Sequence, residues 1–113
     1  WNEEYKRLFN KKVDKDSNGC LQDVHWYAGL FGYFPTYSLG ALTSAQFASQ
    51  LRSDIPTLDL QIEKGDFKEL LRWLKTNIHS KASLYSSSEI LQQVTNSKLN
   101  VKYFEDYIKK RYL

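Results

Sequence analysis

Gln22, Asp23, His25 and Trp26 fall within barely more than one helical turn, and a segment broken by Gly32 and Pro35 then carries Tyr33 and Tyr37. A neutral imidazole and a phenol each combine a hydrogen to donate with a lone pair, whereas a carboxylate only accepts. Groups of this kind can line a groove and grip a peptide carbonyl or an oxyanion. The same residue types also build aromatic core clusters whose polar groups are satisfied internally. The residues alone leave both readings open.

Other constellations are weaker. Asp14, Asp16, Asn18 and Gly19 occupy the first, third, fifth and sixth places of a calcium loop, where oxygen ligands and a sharp turn are needed. The twelfth place holds His25, and an imidazole nitrogen is a poor ligand for a hard cation. The segment therefore reads as a polar turn whose Asp and Asn side chains bond to nearby backbone. One cysteine, Cys20, and two histidines, His25 and His79, are too few for a structural zinc site with about four nitrogen or sulfur ligands. His79 sits where a helix end would suit it. No pairing singles out a nucleophilic serine, and Ser83 to Ser88 reads as a loop and a helix cap.

The elements that must position these groups are helical. Trp1, Tyr5, Leu8 and Phe9 form the stripe of a first helix of roughly twelve residues that ends in the polar stretch Asp14 to Gly19. Leu21, Val24 and Ala28 predict a second helix over Cys20 to Ala28, followed by an aromatic loop from Gly29 to Pro35. Leu39, Leu42, Ala45, Gln46 and Leu51 predict a third helix ending before Ile55-Pro56, and Pro56 can open a short fourth that Gly65 stops. Asp66 and Glu69 have the spacing of a capping box before the stripe Phe67, Leu70, Leu71, Leu74 and Ile78. Ser86 and Glu89 repeat that signal before Ile90, Leu91 and Val94, and Asn100 can cap a last helix bearing Val101, Phe104, Tyr107 and Ile108. No window alternates with period two. The expectation is an all-α chain of six or seven helices, with residues 1–113 forming a single helical unit.

Composition agrees with an ordinary folded domain. At 113 residues, 42% hydrophobic and 26% charged, the chain can bury roughly two thirds of its unfolded surface, and neither disorder nor repeats are indicated. No apolar run approaches the eighteen or so residues of a membrane span. A net charge of +3, spread along the chain, does not argue for nucleic acid. A lone cysteine favours a reducing compartment. The sequence has no methionine, and Trp1 is not preceded by any leader signal, so the expectation is a piece of a longer chain.

Gly19, Gln22, Asp23, His25 and Trp26 form the pattern GxxQDxHW, and Gly32 to Gly40 reads GYFPTYSLG. On these residues the chain resembles the metallocarboxypeptidases of the carboxypeptidase Taq type. The resemblance continues through Gln46 and Phe47, Gly65 to Phe67, Trp73-Leu-Lys75 and the stretch Tyr103 to Tyr112, and thus covers essentially the whole sequence. Ala41 departs from it, where Asn is expected after Leu-Gly. The resemblance implies a cytoplasmic, mostly helical, homodimeric enzyme that removes single residues from peptide C termini with broad specificity. It also implies zinc or cobalt held by an HExxH helix and a further Glu. This sequence contains no HExxH. The expectation is therefore a C-terminal fragment, inactive by itself and binding no metal, whose metal ligands lie in the upstream part of the same polypeptide. By the same resemblance Tyr37 is an oxyanion donor, His25 a partner of the peptide backbone and Tyr33 a second tyrosine at the substrate, with Gln22 and Asp23 orienting His25. The alternative is a freestanding helical module that binds a peptide or protein.

Overall fold

The computed structural model describes residues 1–81 and 83–113, and every regular element among them is helical. Seven α-helices follow one another: α1 Asn2–Phe9, α2 Val24–Tyr27, α3 Pro35–Asp54, α4 Leu58–Glu63, α5 Lys68–Asn77, α6 Ser87–Thr95 and α7 Lys102–Tyr112. Single turns of 3-10 helix lie at Asp16–Asn18, Cys20–Gln22 and His79–Lys81. This is the all-α architecture expected from the helical spacing. The backbone falls into two compact units, Trp1–Tyr37 and Ser38–Leu113.

In the first unit the aromatic stripe forms as expected, with Trp1 stacked on Tyr5 at 4.7 Å and Tyr5 tilted on Phe9 at 4.8 Å. The helix beneath it is shorter than its stripe suggested. Asn10 takes the left-handed conformation at φ 52° and donates its N–H to the Lys6 carbonyl, which closes α1 after Phe9. Further on, Gly19 is buried, and a Cβ built there would lie 2.9 Å from the Trp1 ring and 3.0 Å from a Val13 methyl. Only glycine lets the chain pass so close to these side chains.

The helix expected over Cys20 to Ala28 is interrupted. Asp23 adopts an extended conformation, φ −93° and ψ 114°, because its side chain accepts the His25 N–H and so starts a new helix. Cys20–Gln22 is left as a 3-10 turn and Val24–Tyr27 as α2.

The second unit is built around Leu51, Leu58 and Trp73, with Phe47, Ile55, Leu70, Leu74, Ile78 and Val94 packed against them. The Trp73 indole N–H reaches this core's polar edge by donating to Asp54 at 2.7 Å. α3 starts at Pro35, earlier than the stripe from Leu39 implied, since proline's fixed φ suits a first helical position. α4 begins at Leu58, after a turn through Pro56 and Thr57.

Gln46 is the most buried polar residue, with 0% exposure. Its amide nitrogen lies 3.0 Å from Thr95 Oγ1, 2.8 Å from Ser97 Oγ and 3.1 Å from the Lys98 carbonyl. Its oxygen accepts the Asn100 N–H at 3.0 Å. One α3 side chain thus ties down the connection between α6 and α7.

Candidate functional site

The first unit carries the residues singled out by type and spacing. Asp23 Oδ1 accepts the His25 amide at 3.0 Å and lies 2.6 Å from His25 Nδ1. His25 Nε2 lies 3.3 Å from the Tyr37 hydroxyl. An unbroken line of polar contacts therefore runs from Asp23 through the imidazole to Tyr37. The ring is held from its faces and edges as well. Tyr33 stacks on it at 5.6 Å and 21°, Phe34 tilts against it at 5.0 Å, and Tyr37 meets it edge-on at 5.6 Å.

Local backbone chemistry explains this convergence. Asp23 is both the cap of α2 and the partner of the ring two residues on, so starting the helix also fixes the imidazole. Gly32 has φ 80°, a left-handed conformation that glycine adopts without strain, and it turns the chain between α2 and α3. Tyr33 N–H donates to the Leu30 carbonyl and Tyr37 N–H to the Phe34 carbonyl, which carries the turn into the first residues of α3.

The Asp23 and His25 side chains are mostly shielded, at 23% and 18% exposure. Burial pushes the Asp23 carboxyl up, but hydrogen bonds from the His25 amide and ring, with the ring's positive charge when protonated, outweigh it and hold the group below the ordinary Asp value. Asp23 is thus a carboxylate throughout the neutral range.

Tyr33, Phe34 and Tyr37 are exposed, at 47%, 54% and 56%. Of the two readings left open by residue type, a closed aromatic core does not form; the cluster instead presents its tyrosines at the surface of this chain. Trp26 does not reach the imidazole cluster either. It packs edge-on against Phe31 at 5.4 Å.

Gln22 lies in the turn before α2. Its amide nitrogen donates to the Ser17 carbonyl, so its work is to hold the turn before α2. Tyr27 does a similar job by donating its hydroxyl to the Leu21 carbonyl at 2.5 Å. Phe34 also packs on the His25 ring, and its signal in the sequence is the density of aromatics from Phe31 to Tyr37, not a hydrogen-bonding group.

In the stretch that resembles a calcium loop, Asn18 Nδ2 donates to Asp14 Oδ1 at 3.0 Å. That bond, with backbone N–H groups, holds the Asp14 carboxyl below its ordinary value. Asp14 and Asn18 satisfy each other, as a polar turn requires. No group of three or more His, Cys, Asp or Glu side chains able to hold a metal occurs among the described residues. His25 in particular has Nδ1 on Asp23 and Nε2 facing Tyr37, so its nitrogens are already engaged. The described residues offer no such set of ligands for a catalytic metal.

Two open cavities of about 700 and 610 Å³ lie in the second unit, one between Leu39, Glu89 and Leu99 and the other between Arg52, Tyr107 and Arg111. Neither lining contains a residue of the imidazole cluster. His79 is exposed in the turn after α5, as expected of a surface helix end.

The helical fold corresponds to that of a peptidase family. The family model described as carboxypeptidase Taq (M32) metallopeptidase matches residues 1–112. The chain is 38% identical over 113 residues to thermostable carboxypeptidase 1 of Pyrococcus furiosus, covering 100% of this chain and 23% of that protein. A solved structure of the Pyrococcus furiosus carboxypeptidase, in an Apo-Mg form, superposes with a TM-score of 0.94 at 38% identity, over 100% of this chain and 23% of that one. Metallocarboxypeptidase 1 of Trypanosoma cruzi superposes with a TM-score of 0.92 at 39% identity, over 99% of this chain and 24% of that one. The chain belongs to the carboxypeptidase Taq family of metallopeptidases. It spans about a quarter of the length of the relatives it matches.

Proposed function

We propose that these residues are the C-terminal, substrate-contacting part of a metal-dependent carboxypeptidase that removes single amino acids from peptide C termini with broad specificity. Residues 1–113 work in it as one helical unit. The metal, zinc or cobalt, is held by residues of the longer protein outside 1–113, and the isolated chain is inactive. The whole enzyme is a cytoplasmic homodimer, and this portion contacts the peptide substrate and the upstream part of its own polypeptide.

The observation that carries the reading is the line from Asp23 through His25 to the exposed Tyr37 hydroxyl. Asp23 fixes the ring, the ring and Phe34 fix the tyrosine, and Tyr37 is an exposed residue beside the aromatic Tyr33 and Phe34. A donor held in place before reaction costs no reorganisation as negative charge develops on a carbonyl oxygen. Tyr37 is the donor to that oxyanion, the His25 ring and Tyr33 pack against the peptide backbone, and Asp23 positions His25. Gln22 supports the wall from the preceding turn. Described helices are not long and apolar enough to cross a membrane, and a net charge of +3 gives no reason to expect nucleic acid.

In the whole enzyme, Tyr37→Phe is expected to leave metal content and KM nearly unchanged while lowering kcat by about 10²-fold, the typical effect of removing one preorganised donor. His25→Ala should raise KM as well, because a backbone grip acts in ground and transition states alike. A packing role would give near-normal kcat for Tyr37→Phe, with any change confined to melting temperature. The second reading, a peptide-binding module, draws on the exposed Tyr33, Phe34 and Tyr37. It predicts that the isolated chain binds peptides without hydrolysing them and that neither substitution changes hydrolysis by the whole enzyme.

A further inference from the structure

The proton inventory of the same cluster is more restrictive than its distances alone. Asp23 is a carboxylate and can only accept, so the 2.6 Å contact requires a hydrogen on His25 Nδ1. The other nitrogen then has two states. In the neutral ring Nε2 is a bare lone pair, and the Tyr37 hydroxyl 3.3 Å away must donate to it. In the imidazolium Nε2 carries a hydrogen and donates to the hydroxyl oxygen instead. Tyr37 has one hydrogen. It is directed inward at His25 in the first state and is free to point outward in the second.

The geometry points to His25 as a proton-controlled switch on Tyr37, with Asp23 as the positioning residue that sets its sense: the phenol donates to substrate only while His25 is protonated. The inference rests on the role proposed for Tyr37 above and adds its control. Donating outward above a neutral ring would set the Nε2 lone pair against the lone pairs of the phenol oxygen. Below the imidazolium, the incoming hydrogen bond polarises the O–H and strengthens it as a donor. Groups facing the ring from each packed element are Asp23 at the cap of α2, Tyr33 and Phe34 from the aromatic turn, and Tyr37 from α3. Asp23 is the one carboxylate among them, and its partnership leaves the neutral ring with Nδ1–H and not Nε2–H.

Two measurements on the whole enzyme test this. The ratio of kcat for wild type to that for Tyr37→Phe cancels titrating groups that behave alike in the two enzymes. It is expected to be about 10² on the acid side of the His25 titration, read from its NMR ring signals and assigned with His25→Gln, and to fall toward 1 on the alkaline side. A ratio that stays near 10² on both sides overturns the switch while leaving Tyr37 as the oxyanion donor. A ratio near 1 at every pH removes that role, and the switch with it. Nitrogen-15 NMR of neutral His25 should place the hydrogen on Nδ1, and an Nε2–H ring would contradict the inference. Asp23→Ser retains an oxygen to cap α2 but can also donate to Nδ1. In that variant the ratio should remain well above 1 on the alkaline side, and a wild-type pH dependence would remove Asp23 from the mechanism.

Discussion

Gln46 touches no solvent, and its side chain answers four partners on the α6 to α7 connection. Replacing it by Leu keeps the volume but leaves the Asn100 N–H and the Lys98 carbonyl without their partner. Each hydrogen bond lost at such part-buried groups costs about 0.5–1.5 kcal/mol, so Gln46→Leu should lose about 2 kcal/mol in a denaturant titration; a loss under about 0.5 kcal/mol would show the groups finding other partners. The stripe Leu39, Leu42, Ala45, Gln46 and Leu51 placed Gln46 on the apolar side of α3, but its partners, some fifty positions away at Thr95 to Asn100, left no local signal. Asp23, His25, Tyr33 and Tyr37, by contrast, were legible, because the relation is carried by a local cap and a single turn. The bond from Gln22 to the Ser17 carbonyl is equally local but carries no sequence signal of its own.

At the scale of elements, two similar signals had different outcomes. Ser86 and Glu89 form a reciprocal cap at the start of α6, the Ser86 hydroxyl accepting the Glu89 N–H and the Glu89 carboxylate accepting the Ser86 N–H at 2.7 Å. Asp66 and Glu69 do not, although Asp66 still accepts the Lys68 N–H. The Asp66 N–H is taken by the Gln61 carbonyl, and the Glu69 carboxylate accepts from Gln61 Nε2 at 2.6 Å. A nearby glutamine on α4 displaced a pairing that spacing alone permits. At α6, Ser86→Ala is expected to destabilise the second unit by about 1 kcal/mol. The Ser86 hydroxyl, then its N–H, hold the Glu89 carboxyl below its ordinary value. The carboxylate's share of the cap is therefore complete above the ordinary Glu pKa and is lost as pH falls through the lowered one, while the Ser86 hydroxyl keeps its bond to the Glu89 N–H. The difference in stability between wild type and Ser86→Ala should narrow on acidification, and a difference that widens would contradict the assigned cap.

For the whole molecule, burial is concentrated and exposure is broad. Five hydrophobic side chains are buried among the described residues, Leu51, Leu58, Trp73, Ile90 and Leu91, and all belong to the second unit. The first unit leaves Trp1, Phe9, Trp26, Phe31, Phe34 and Tyr37 substantially exposed. Large exposed apolar patches mark surfaces that other protein covers or that ligands use. The chain by itself offers no metal site among its described residues, and metal-dependent hydrolysis needs about three protein ligands and an activated water. Purified 1–113 is accordingly expected to hydrolyse no N-blocked peptide above the buffer rate with zinc or cobalt added. Measurable turnover that copurifies with the chain would overturn that expectation.

The claim on which these expectations converge is that the Asp23, His25 and Tyr37 line faces a peptide at its reacting carbonyl. A crystal structure of the whole enzyme with a non-hydrolysable peptide tests it most directly. The predicted result is the Tyr37 hydroxyl at hydrogen-bond distance, about 2.7–3.0 Å, from the oxygen that replaces the scissile carbonyl, with His25 or Tyr33 on the adjoining backbone. A peptide bound at the metal with Tyr37 out of contact, its hydroxyl still on His25, would contradict the account.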